Sequence, residues 1–367
     1  MERFSIKRVI VEEGSSKYSL GKEILKRLQG LAVERIKSDD KGLYKYPYGT
    51  DKEVLYLLPF EGEFLKPCPG TKDYICCGYN ILNVGTNCPM DCSYCILQAY
   101  FNQPFIRVFV NLKEKLAHIA QIIDGMPDEV FRIGTGEFTD SLALDPVFGW
   151  SRILLPFFSE RKNTVLELKT KSTQVEGLFS SSCRRGIVVS WSLNSPHITA
   201  KEEHETASLR QRLEAARRCQ SEGFTIGLHF DPLIEHKDWK QGYEKAIDML
   251  DKYIDPKGII WMSLGCFRYM PGLKAVIRKR NPKTDILNGE FVLGLDGKMR
   301  YFKPIRLEMY TFMAEKLNNW YRDLGVYLCM ESDELWKKSM GWSPENSEGL
   351  SSYLNDRVRK FFGRAGS

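Results

Sequence analysis

The residues most able to do chemistry are three cysteines, Cys88, Cys92 and Cys95, in the spacing C-x3-C-x2-C. A zinc site normally takes four ligands, from paired cysteines or from cysteines and histidines, and no histidine precedes His118 in this chain. Three thiolates can instead hold three irons of a [4Fe–4S] cluster and leave the fourth iron open to a chelating ligand. The spacing of this cysteine triad therefore favours an open cluster over a zinc site or unligated thiols.

The remaining cysteines form two sets. Cys68, Cys76 and Cys77 lie shortly before the triad and could bind a second cluster or metal with help from elsewhere. Because the sequence shows no fourth ligand nearby, structural thiols are the favoured interpretation. Ten cysteines without a secretory signal predict a reducing, cytoplasmic location, where clustered thiols serve metal binding or catalysis. The scattered set consists of Cys183, Cys219, Cys266 and Cys329.

Composition limits the class of protein. The 367 residues, 43% hydrophobic and 27% charged, can bury a sizeable core, and 20 Phe, 17 Tyr and 7 Trp exclude a disordered chain. A net charge of +6 is too small to identify a nucleic-acid-binding protein, although it is compatible with a polyanionic partner. No uncharged apolar stretch approaches the ~20 residues of a transmembrane helix, so no membrane association is expected.

The elements that must position the triad alternate along the chain. Short apolar stretches predict strands at 79–84, 130–134, 165–170, 187–194, 224–230 and 258–264, separated by helical patterns that include 112–123, 209–222 and 239–253. Such alternation is typical of parallel strands joined by right-handed crossovers. Six units are fewer than the eight of a closed barrel. The predicted fold class is therefore α/β, with a partial (β/α)6 barrel whose functional face lies at the carboxyl ends of its strands.

Two regions flank the predicted barrel, which is expected over residues 79–270. Residues 1–78 predict a small N-terminal α/β region with strands at 8–11 and 54–59 and a helix at 20–28. Residues 271–367 predict a C-terminal extension that consists of a hairpin followed by a helix. The hairpin spans 291–302 around Asp296 and Gly297, and the helix begins at Pro304.

The triad, on the loop after the first barrel strand, resembles the radical S-adenosylmethionine (SAM) superfamily. The resemblance implies that SAM chelates the open iron and yields a 5′-deoxyadenosyl radical that abstracts hydrogen. It also implies glycines that let backbone carbonyls approach the SAM ammonium, an acceptor carboxylate, and polar groups for the SAM carboxylate and ribose. The residues in these positions are Gly134, Gly136, Glu137, Lys171, Ser192 and Asn194.

Within that superfamily the sequence resembles the spore photoproduct lyase family over most of residues 5–310. Residues 92–98 are similar to the family's C-x-Y-C-Y-L-Q stretch, and further similarities lie at 105–111, 139–140, 192–194, 213–216, 239–243, 268–269 and 281–284. The resemblance implies an enzyme that reverses a covalent thymine–thymine lesion in DNA. In that reaction a protein thiol quenches the product radical through neighbouring tyrosines.

The sequence departs from the family at the quenching step. The family's donor cysteine falls at Glu137, and of the two relay tyrosines only Tyr94 is present, with Ile96 at the other position. A carboxylic O–H bond is too strong to give a hydrogen atom to a carbon radical. Cys266, after the sixth predicted strand, is a candidate substitute donor, with a buried structural thiol as the alternative.

The hairpin is the candidate substrate contact. In the resembling family a hairpin at this place wedges into duplex DNA, which makes Lys298 and Arg300 candidate nucleic-acid-binding residues. The alternative is a solvated hairpin that covers the end of the barrel.

The expected function is that of a radical SAM enzyme with a [4Fe–4S] cluster and SAM as cofactors, and with a thymine dimer in DNA as substrate. A reductant such as flavodoxin or ferredoxin is the expected electron donor. One alternative keeps the radical chemistry but acts on another nucleic acid, a peptide or a metabolite, because the donor position is Glu137. The other is a non-catalytic, metal-stabilised nucleic-acid-binding protein.

Overall fold

The computed structural model describes residues 6–37, 52–71, 73–101 and 103–363, so parts of the predicted terminal regions, residues 1–5, 38–51 and 364–367, lie outside it. In chain order the strands are β1 (Arg8–Glu12), β2 (Ala32–Ile36), β3 (Val54–Leu58), β4 (Leu65–Pro67), β5 (Asn80–Leu82), β6 (Gly85–Thr86), β7 (Asp91–Cys92), β8 (Ile106–Phe109), β9 (Phe131–Gly134), β10 (Thr164–Thr170), β11 (Ile187–Ser192), β12 (Glu203–His204), β13 (Thr225–Leu233), β14 (Ile259–Cys266), β15 (Arg268–Tyr269), β16 (Phe291–Leu293), β17 (Met299–Tyr301) and β18 (Val326–Leu328). The helices are α1 (Ser19–Arg27), α2 (Leu97–Tyr100), α3 (Leu112–Asp124), α4 (Asp145–Phe148), α5 (Trp150–Ser159), α6 (Glu176–Phe179), α7 (Pro196–Glu202), α8 (Leu209–Ser221), α9 (Trp239–Tyr253), α10 (Pro271–Arg280), α11 (Lys303–Trp320), α12 (Asp333–Met340) and α13 (Ser347–Phe362).

The larger sheet, the barrel sheet, has the strand order β18-β14-β13-β11-β10-β9-β5-β4. All of its neighbouring strands are parallel except β4, which runs antiparallel to β5 at one edge. The six predicted barrel strands are confirmed as β5, β9, β10, β11, β13 and β14. The α/β fold class with a curled, partial barrel is confirmed as well.

Two strands of the barrel sheet were not predicted. One is β18, which pairs in parallel with β14 and extends the sheet beyond the six predicted units. It contributes only Val326–Leu328, a run too short to show a period-two pattern, and it lies inside the predicted C-terminal extension. The other is β4 (Leu65–Pro67), a three-residue edge strand that ends in a proline.

The smaller sheet has the order β2-β1-β3-β8-β6. Strands β1, β2, β3 and β8 are parallel, and β6 runs antiparallel to β8 at the edge. The predicted strands at 8–11 and 54–59 and the predicted helix at 20–28 are confirmed as β1, β3 and α1. Because β6 follows β5 directly, the chain passes from the barrel sheet to the smaller sheet immediately before the cysteine triad.

A third sheet, β15-β17-β16, contains the predicted hairpin, whose turn includes Gly297 in the left-handed region at φ 73°. The predicted helix after it is confirmed as α11, with Pro304 in its first turn. Among the described residues, no helix combines the length and the apolar character needed to cross a bilayer.

The inner face of the barrel sheet carries a buried polar network centred on Glu167 of β10. Its carboxylate accepts hydrogen bonds from Ser190 (2.6 Å), His229 (2.9 Å) and Trp261 (2.7 Å), which lie on β11, β13 and β14. The other ring nitrogen of His229 is 2.7 Å from the hydroxyl of Ser263. Burial acts to raise the pKa of Glu167, but His229 and the hydrogen bonds outweigh it and lower the pKa to about 2.

We expect Glu167→Gln to lower the free energy of unfolding at pH 7 by about 2 kcal/mol, because hydrogen bonds to a charged acceptor become bonds to a neutral one. A depressed pKa in the folded state stabilises the protein above the unfolded value of about 4.3, and this contribution is lost as the pH falls towards about 2. The difference between variant and wild type should therefore shrink below about pH 4. Urea unfolding of the metal-free protein at pH 7, 5, 4 and 3 measures it.

The matched control is Glu176→Gln, which removes an exposed carboxylate paired with Arg218. Its effect should stay below about 1 kcal/mol, as for other surface ion pairs. A cost of Glu167→Gln that did not change with pH would contradict the charged state assigned to Glu167.

Candidate functional site

The cysteine triad lies where the chain leaves the barrel sheet, between β6 and α2. Cys92 is buried, Cys88 and Cys95 are half-buried, and all three are free thiols. Burial raises the pKa of Cys92 to about 12, against the opposing effect of Lys171, and burial likewise raises the pKa of Cys88. Buried thiols become thiolate ligands when a metal cation compensates their charge, so this donor set fits an iron centre.

Among the described residues, no group of three or more His, Cys, Asp or Glu side chains lies close enough to hold a single metal ion. The triad therefore does not form the compact tetrahedron of a mononuclear zinc site. In a cluster each thiolate binds a different iron, so the ligands need not meet at one point. The spacing and the donor type of the triad fit such a cluster.

Amide side chains hold the main chain of the triad loop. Asn87, at a positive φ of 67°, donates to the carbonyl oxygens of Gln103 (2.9 Å) and Phe105 (2.6 Å). Gln98 donates to the carbonyl oxygens of Cys92 (3.0 Å) and Ser93 (2.9 Å). These side-chain bonds add to the short β7–β12 pairing in fixing the main chain of the loop.

An ion-pair cluster ties the same loop to α10. Asp91 lies 2.8 Å from the ammonium of Lys52 and 2.9 Å from the guanidinium of Arg280. Arg280 also donates to the side-chain oxygen of Gln98 at 2.5 Å. The last residue of α10 therefore holds the loop before Cys92 and after Cys95.

Tyr94, predicted as a hydrogen-transfer residue, is buried beside the triad and donates its hydroxyl proton to Glu203. Glu203 lies on β12, opposite Cys92 of β7. Its carboxylate forms an ion pair of 2.5 Å with Arg212 of α8, and both side chains are 0% exposed. Arg212 also donates to the carbonyl oxygen of Ser192 at 2.9 Å. A fully buried ion pair thus joins the triad loop to the end of β11.

Gly134 and Gly136 lie at the carboxyl end of β9, as predicted. A Cβ atom at Gly134 would lie 1.4 Å from the hydroxyl of Tyr79, and one at Gly136 would lie 2.9 Å from the Cβ of Lys169. Both positions therefore require glycine for a close approach. Glu137 is half-buried beside them. Burial acts to lower the pKa of Lys169, but Glu137 and other carboxylates raise it, which places the Glu137 carboxylate near that ammonium.

Asp140 joins the loop after β9 to the end of β10. Its carboxylate accepts from the N–H groups of Leu142 (3.0 Å), Ala143 (2.8 Å) and Lys171 (2.9 Å), and from the hydroxyl of Thr170 (2.7 Å). These contacts fix the main chain at Lys171. Sequence analysis noted the pair at 139–140 only as a family similarity and assigned it no role.

Lys171 is brought next to the triad. Its ammonium lies 5.7 Å from the centre of the Tyr94 ring, and its charge acts on the pKa of Cys92. Ser192 lies at the end of β11, where its carbonyl oxygen receives the Arg212 hydrogen bond. The structure therefore gathers Lys171 and Ser192 with the triad at one end of the barrel.

Asn194 is placed differently from the prediction. It is buried, and its amide nitrogen donates to the carbonyl oxygen of Pro232 at 2.9 Å. Its side-chain oxygen accepts from the Tyr243 hydroxyl (2.7 Å) and from the N–H of Ser195 (3.0 Å). Because internal partners occupy this amide, the geometry assigns Asn194 to holding the strand ends together rather than to contacting SAM.

Cys266 ends β14, the sixth predicted barrel strand, but its thiol packs against a helix. Side chains alternate along β14, so that Ser263 faces His229 inside and Gly265 packs against Asp231. Cys266 therefore points outward, and its thiol lies 4.0 Å from the sulfur of Met309 on α11. This position fits the alternative interpretation of Cys266 as a buried structural thiol.

The structure also argues against the predicted role of Arg300 in nucleic-acid binding. Arg300 is 1% exposed, pairs with Asp296 at 2.7 Å and donates to the carbonyl oxygen of Met330 at 3.0 Å. Lys298 lies 3.4 Å from the same Asp296 carboxylate. The hairpin packs its basic side chains inward because a carboxylate at its own turn attracts them. Its exposed side chains are apolar: Leu293 is 65% exposed and Leu295 79% exposed.

Sequence analysis missed the charged residues that hold the site, which are Asp140, Glu203 and Arg212. A buried charge and a solvated one look the same in a sequence. The capping box at the start of α8, formed by Ser208 and Gln211, could have located the helix end that carries Arg212.

Comparison with known proteins gives one consistent family. A family model described as spore photoproduct lyase matches residues 76–319, a range that contains the triad, the glycine stretch and the hairpin. The spore photoproduct lyase of Bacillus subtilis strain 168 is 24% identical over 324 residues, which cover 84% of this chain and 90% of that protein. The spore photoproduct lyase of Geobacillus sp. strain Y412MC61 is 27% identical over 223 residues, and this match spans 60% of the chain and 63% of the relative, less than two thirds of its length.

Solved structures share the fold. A spore photoproduct lyase complexed with dinucleoside spore photoproduct has a TM-score of 0.77 at 23% identity, and covers 89% of this chain and 98% of its own. A variant of spore photoproduct lyase with bound AdoMet and dinucleoside spore photoproduct has a TM-score of 0.76 at 22% identity. At this identity the likeness shows that the architecture is common to the chains.

We expect Gly134→Ala to destabilise the protein by about 1–3 kcal/mol, because the new methyl group would overlap the Tyr79 hydroxyl and force the end of β9 to shift. Thermal unfolding measures this as a lower Tm. The matched control is Gly272→Ala on α10, where a Cβ meets nothing within 4 Å and alanine favours the helix. Equal Tm values for the two variants would show that the β9 end is not tightly packed.

We expect Arg212→Met to cost about 3–5 kcal/mol, because it leaves the buried Glu203 carboxylate without its cation. Adding Glu203→Leu should recover part of the loss, since an apolar pair has no unpaired charge. Urea unfolding measures both variants. Arg210→Met is the control: it lies on the same helix but forms an exposed pair with Glu214, and should destabilise the protein far less than Arg212→Met. A double variant no more stable than Arg212→Met alone would contradict the pairing.

Proposed function

The chain belongs to the spore photoproduct lyase family of radical SAM enzymes, and from this membership we propose that it uses a [4Fe–4S] cluster and SAM to act on a thymine dimer lesion in DNA. The observation that carries the proposal is the position of Cys88, Cys92 and Cys95. These three thiols lie on a rigid loop beside the glycine stretch and Lys171, at the carboxyl ends of the barrel strands.

The proposed roles follow from that position. Cys88, Cys92 and Cys95 would hold the cluster, whose open iron would leave room for SAM. When bound, the cluster and SAM supply one-electron chemistry, in which reduction yields a 5′-deoxyadenosyl radical able to abstract hydrogen. A flavodoxin or ferredoxin is the proposed source of the electron.

Side chains at the strand ends would bind SAM. The close packing of Gly134 and Gly136 leaves their backbone open to an approaching ammonium, and Glu137 would accept a hydrogen bond from it. Lys171, held in place through Asp140, would pair with the SAM carboxylate. Ser192 would contact the ribose.

Two further observations support a DNA substrate. Spore photoproduct lyase, the protein of similar fold, was solved with dinucleoside spore photoproduct. In this chain the exposed Leu293 and Leu295 give the hairpin an apolar tip, which is suited to insertion between stacked bases. We therefore propose that Leu293 and Leu295 form the wedge that contacts DNA. Lys298 and Arg300 would instead maintain the shape of the hairpin through Asp296.

Glu137 favours a second candidate function, a radical SAM enzyme with another substrate. The family's donor cysteine is absent at this position, Cys266 points outward, and Tyr94 donates its hydroxyl proton to Glu203. A carboxylate beside Lys169 binds and orients polar groups rather than quenching a carbon radical. The substrate of this second function would be another nucleic acid, a peptide or a metabolite.

We expect the reconstituted and reduced protein to form 5′-deoxyadenosine from SAM in the absence of oxygen. Cys92→Ala should reduce this product to background, because two thiolates no longer hold three irons. The matched control, Cys183→Ala, removes a half-buried thiol outside the triad and should leave the product unchanged. Liquid chromatography of 5′-deoxyadenosine measures the outcome, and no product from the wild type would overturn the radical SAM assignment.

Ultraviolet-irradiated DNA added to the same reaction distinguishes the two candidates. Recovery of intact thymines that depends on SAM would support lesion repair. Formation of 5′-deoxyadenosine at the same rate with and without damaged DNA, with no thymine recovered, would favour the second function.

A further inference from the structure

Helix α10 and the turn after it carry a concentrated positive charge. Residues 256–284 contain no Asp or Glu, and residues 271–284 contain five Lys and Arg side chains. The whole chain has a net charge of only +6, so this short segment is strongly basic relative to the rest. A segment of one charge sign creates a local field that attracts a partner of the opposite charge.

Four of these five cations form no ion pair with any carboxylate among the described residues. Asp285, the next carboxylate along the chain, pairs with Lys201 instead, at 2.5 Å. On α12, by contrast, both lysines pair with carboxylates of their own helix. The four cations are named the α10 track and are Lys274, Arg278, Lys279 and Lys283.

The buried side of α10 fixes the direction in which the track points. Leu273 and Ile277 are 1% and 0% exposed and attach the helix to the body of the protein. Arg278 and Lys279 follow them and are exposed, so their charged groups face solvent. Lys274, which is half-buried, lies one helical turn before Arg278, where like charges repel each other. An anion bound between the two would remove that repulsion.

The position of α10 links the hairpin to the triad loop. Strand β15 runs antiparallel to β17 of the hairpin, and α10 begins immediately after Met270, which is 45% exposed. At its other end α10 packs against α2, and Arg280 forms its ion pair with Asp91 of the triad loop. The track therefore runs along the surface from the apolar hairpin tip towards the proposed cluster.

The length of the helix matches a stretch of DNA backbone. An α-helix of ten residues is about 15 Å long. Phosphates of one strand follow one another at about 3.4 Å along the axis of the duplex, so the helix spans about four of them. An acidic electron-donor protein would also be attracted, but the place of the track beside the apolar tip favours DNA, since phosphate contacts hold a duplex in register while a wedge enters it.

We propose that Lys274, Arg278, Lys279 and Lys283 bind the phosphates of one strand of duplex DNA next to the hairpin. This inference rests on the proposed DNA substrate and adds a surface that holds the duplex. The track would carry affinity without sequence preference, because phosphates are common to all sequences. The leucines of the hairpin would then meet a duplex that is already positioned.

Fluorescence anisotropy of a labelled, undamaged duplex of about 20 base pairs, with the reconstituted protein at about 50–300 mM KCl, tests the track. In the variant Lys274→Gln/Arg278→Gln/Lys279→Gln/Lys283→Gln, the slope of the logarithm of the association constant against that of the salt concentration should become shallower by about 3. Each lost phosphate contact accounts for about 0.9 of this slope. Binding at about 100 mM KCl should weaken at least tenfold.

The matched control removes the same amount of charge elsewhere. It is the variant Lys22→Gln/Lys26→Gln/Arg217→Gln/Lys245→Gln, which changes four exposed cations on α1, α8 and α9. Its slope and affinity should stay close to those of the wild type. Equal losses in the two variants would show that net charge rather than the track attracts DNA, and would overturn the proposal.

Other outcomes separate the track from its alternatives. Wild-type protein that binds no duplex would refute the track. A track variant that binds DNA normally but is reduced more slowly by flavodoxin would refute it as well and assign the surface to the electron donor. Wild-type protein that binds the duplex through the track but restores no thymines would support the track and reject lesion repair.

Turnover provides a second separation from the proposed function. A dinucleoside lesion has no flanking phosphates, so the track variant should convert it with the kcat and KM of the wild type. With irradiated duplex DNA the KM of the variant should rise at least tenfold at similar kcat. Thymine recovery from the duplex at equal KM in both proteins would refute the track and leave lesion repair in place.

A measurement on the wild type covers the case in which the variant fails to fold. Acetylation of lysines, followed by peptide mass spectrometry, should be at least about fivefold slower at Lys279 and Lys283 when the duplex is saturating. Lys245, exposed on α9, should react equally with and without DNA and serves as the internal control. Equal acetylation of the track lysines in both conditions would refute the site.

Discussion

The buried carboxylate of Glu167 is the constraint on which the position of the site depends. A buried charge is tolerated only when donors satisfy it, and here Ser190, His229 and Trp261 supply them from three other strands. The strands β10, β11, β13 and β14 are therefore held in the one register that lets these side chains reach the carboxylate. Since the strands are parallel, a register fixed at the centre of the barrel also fixes the relative heights of their carboxyl ends, where the polar residues of the site lie.

Other buried charges fix the positions of the loops that follow these strands. The Asp140 carboxylate accepts a hydrogen bond from the main-chain N–H of Lys171, which connects the loop after β9 to the end of β10 as one unit. The ion pair of Glu203 and Arg212 does the same for the triad loop and the end of β11. The two units meet where the Lys171 ammonium lies over the Tyr94 ring. The site is thus held by short polar contacts among loops, and the apolar core holds the strands behind them.

The family architecture is retained at low sequence identity. A TM-score of 0.77 to a spore photoproduct lyase accompanies an identity of only 23%, so the backbone is kept where many side chains change. The family resemblance predicts a donor cysteine at the position of Glu137, whose carboxylate acts to raise the pKa of Lys169. The barrel sheet does not close on itself through a full ladder of strands. In the described residues, the bridge between Ile75 and Glu331 connects its two edges.

The sequence by itself determined the strand–helix alternation, the six barrel strands, the hairpin and the place of the triad and glycine stretch, because these depend on local periodicity and spacing. It did not determine β18, whose three residues are too short to show a period. Only the tertiary structure decided which way each strand-end side chain points. Cys266 turns out to pack on α11, Arg300 is drawn inward by Asp296, and Asn194 is held by Tyr243. It also decided that Ile75 and Glu331, which are far apart along the chain, form a bridge between the edges of the barrel sheet. The direction in which a side chain points, and the closeness of residues far apart in the chain, depend on the register and curvature of the sheet. No local stretch of sequence contains that information.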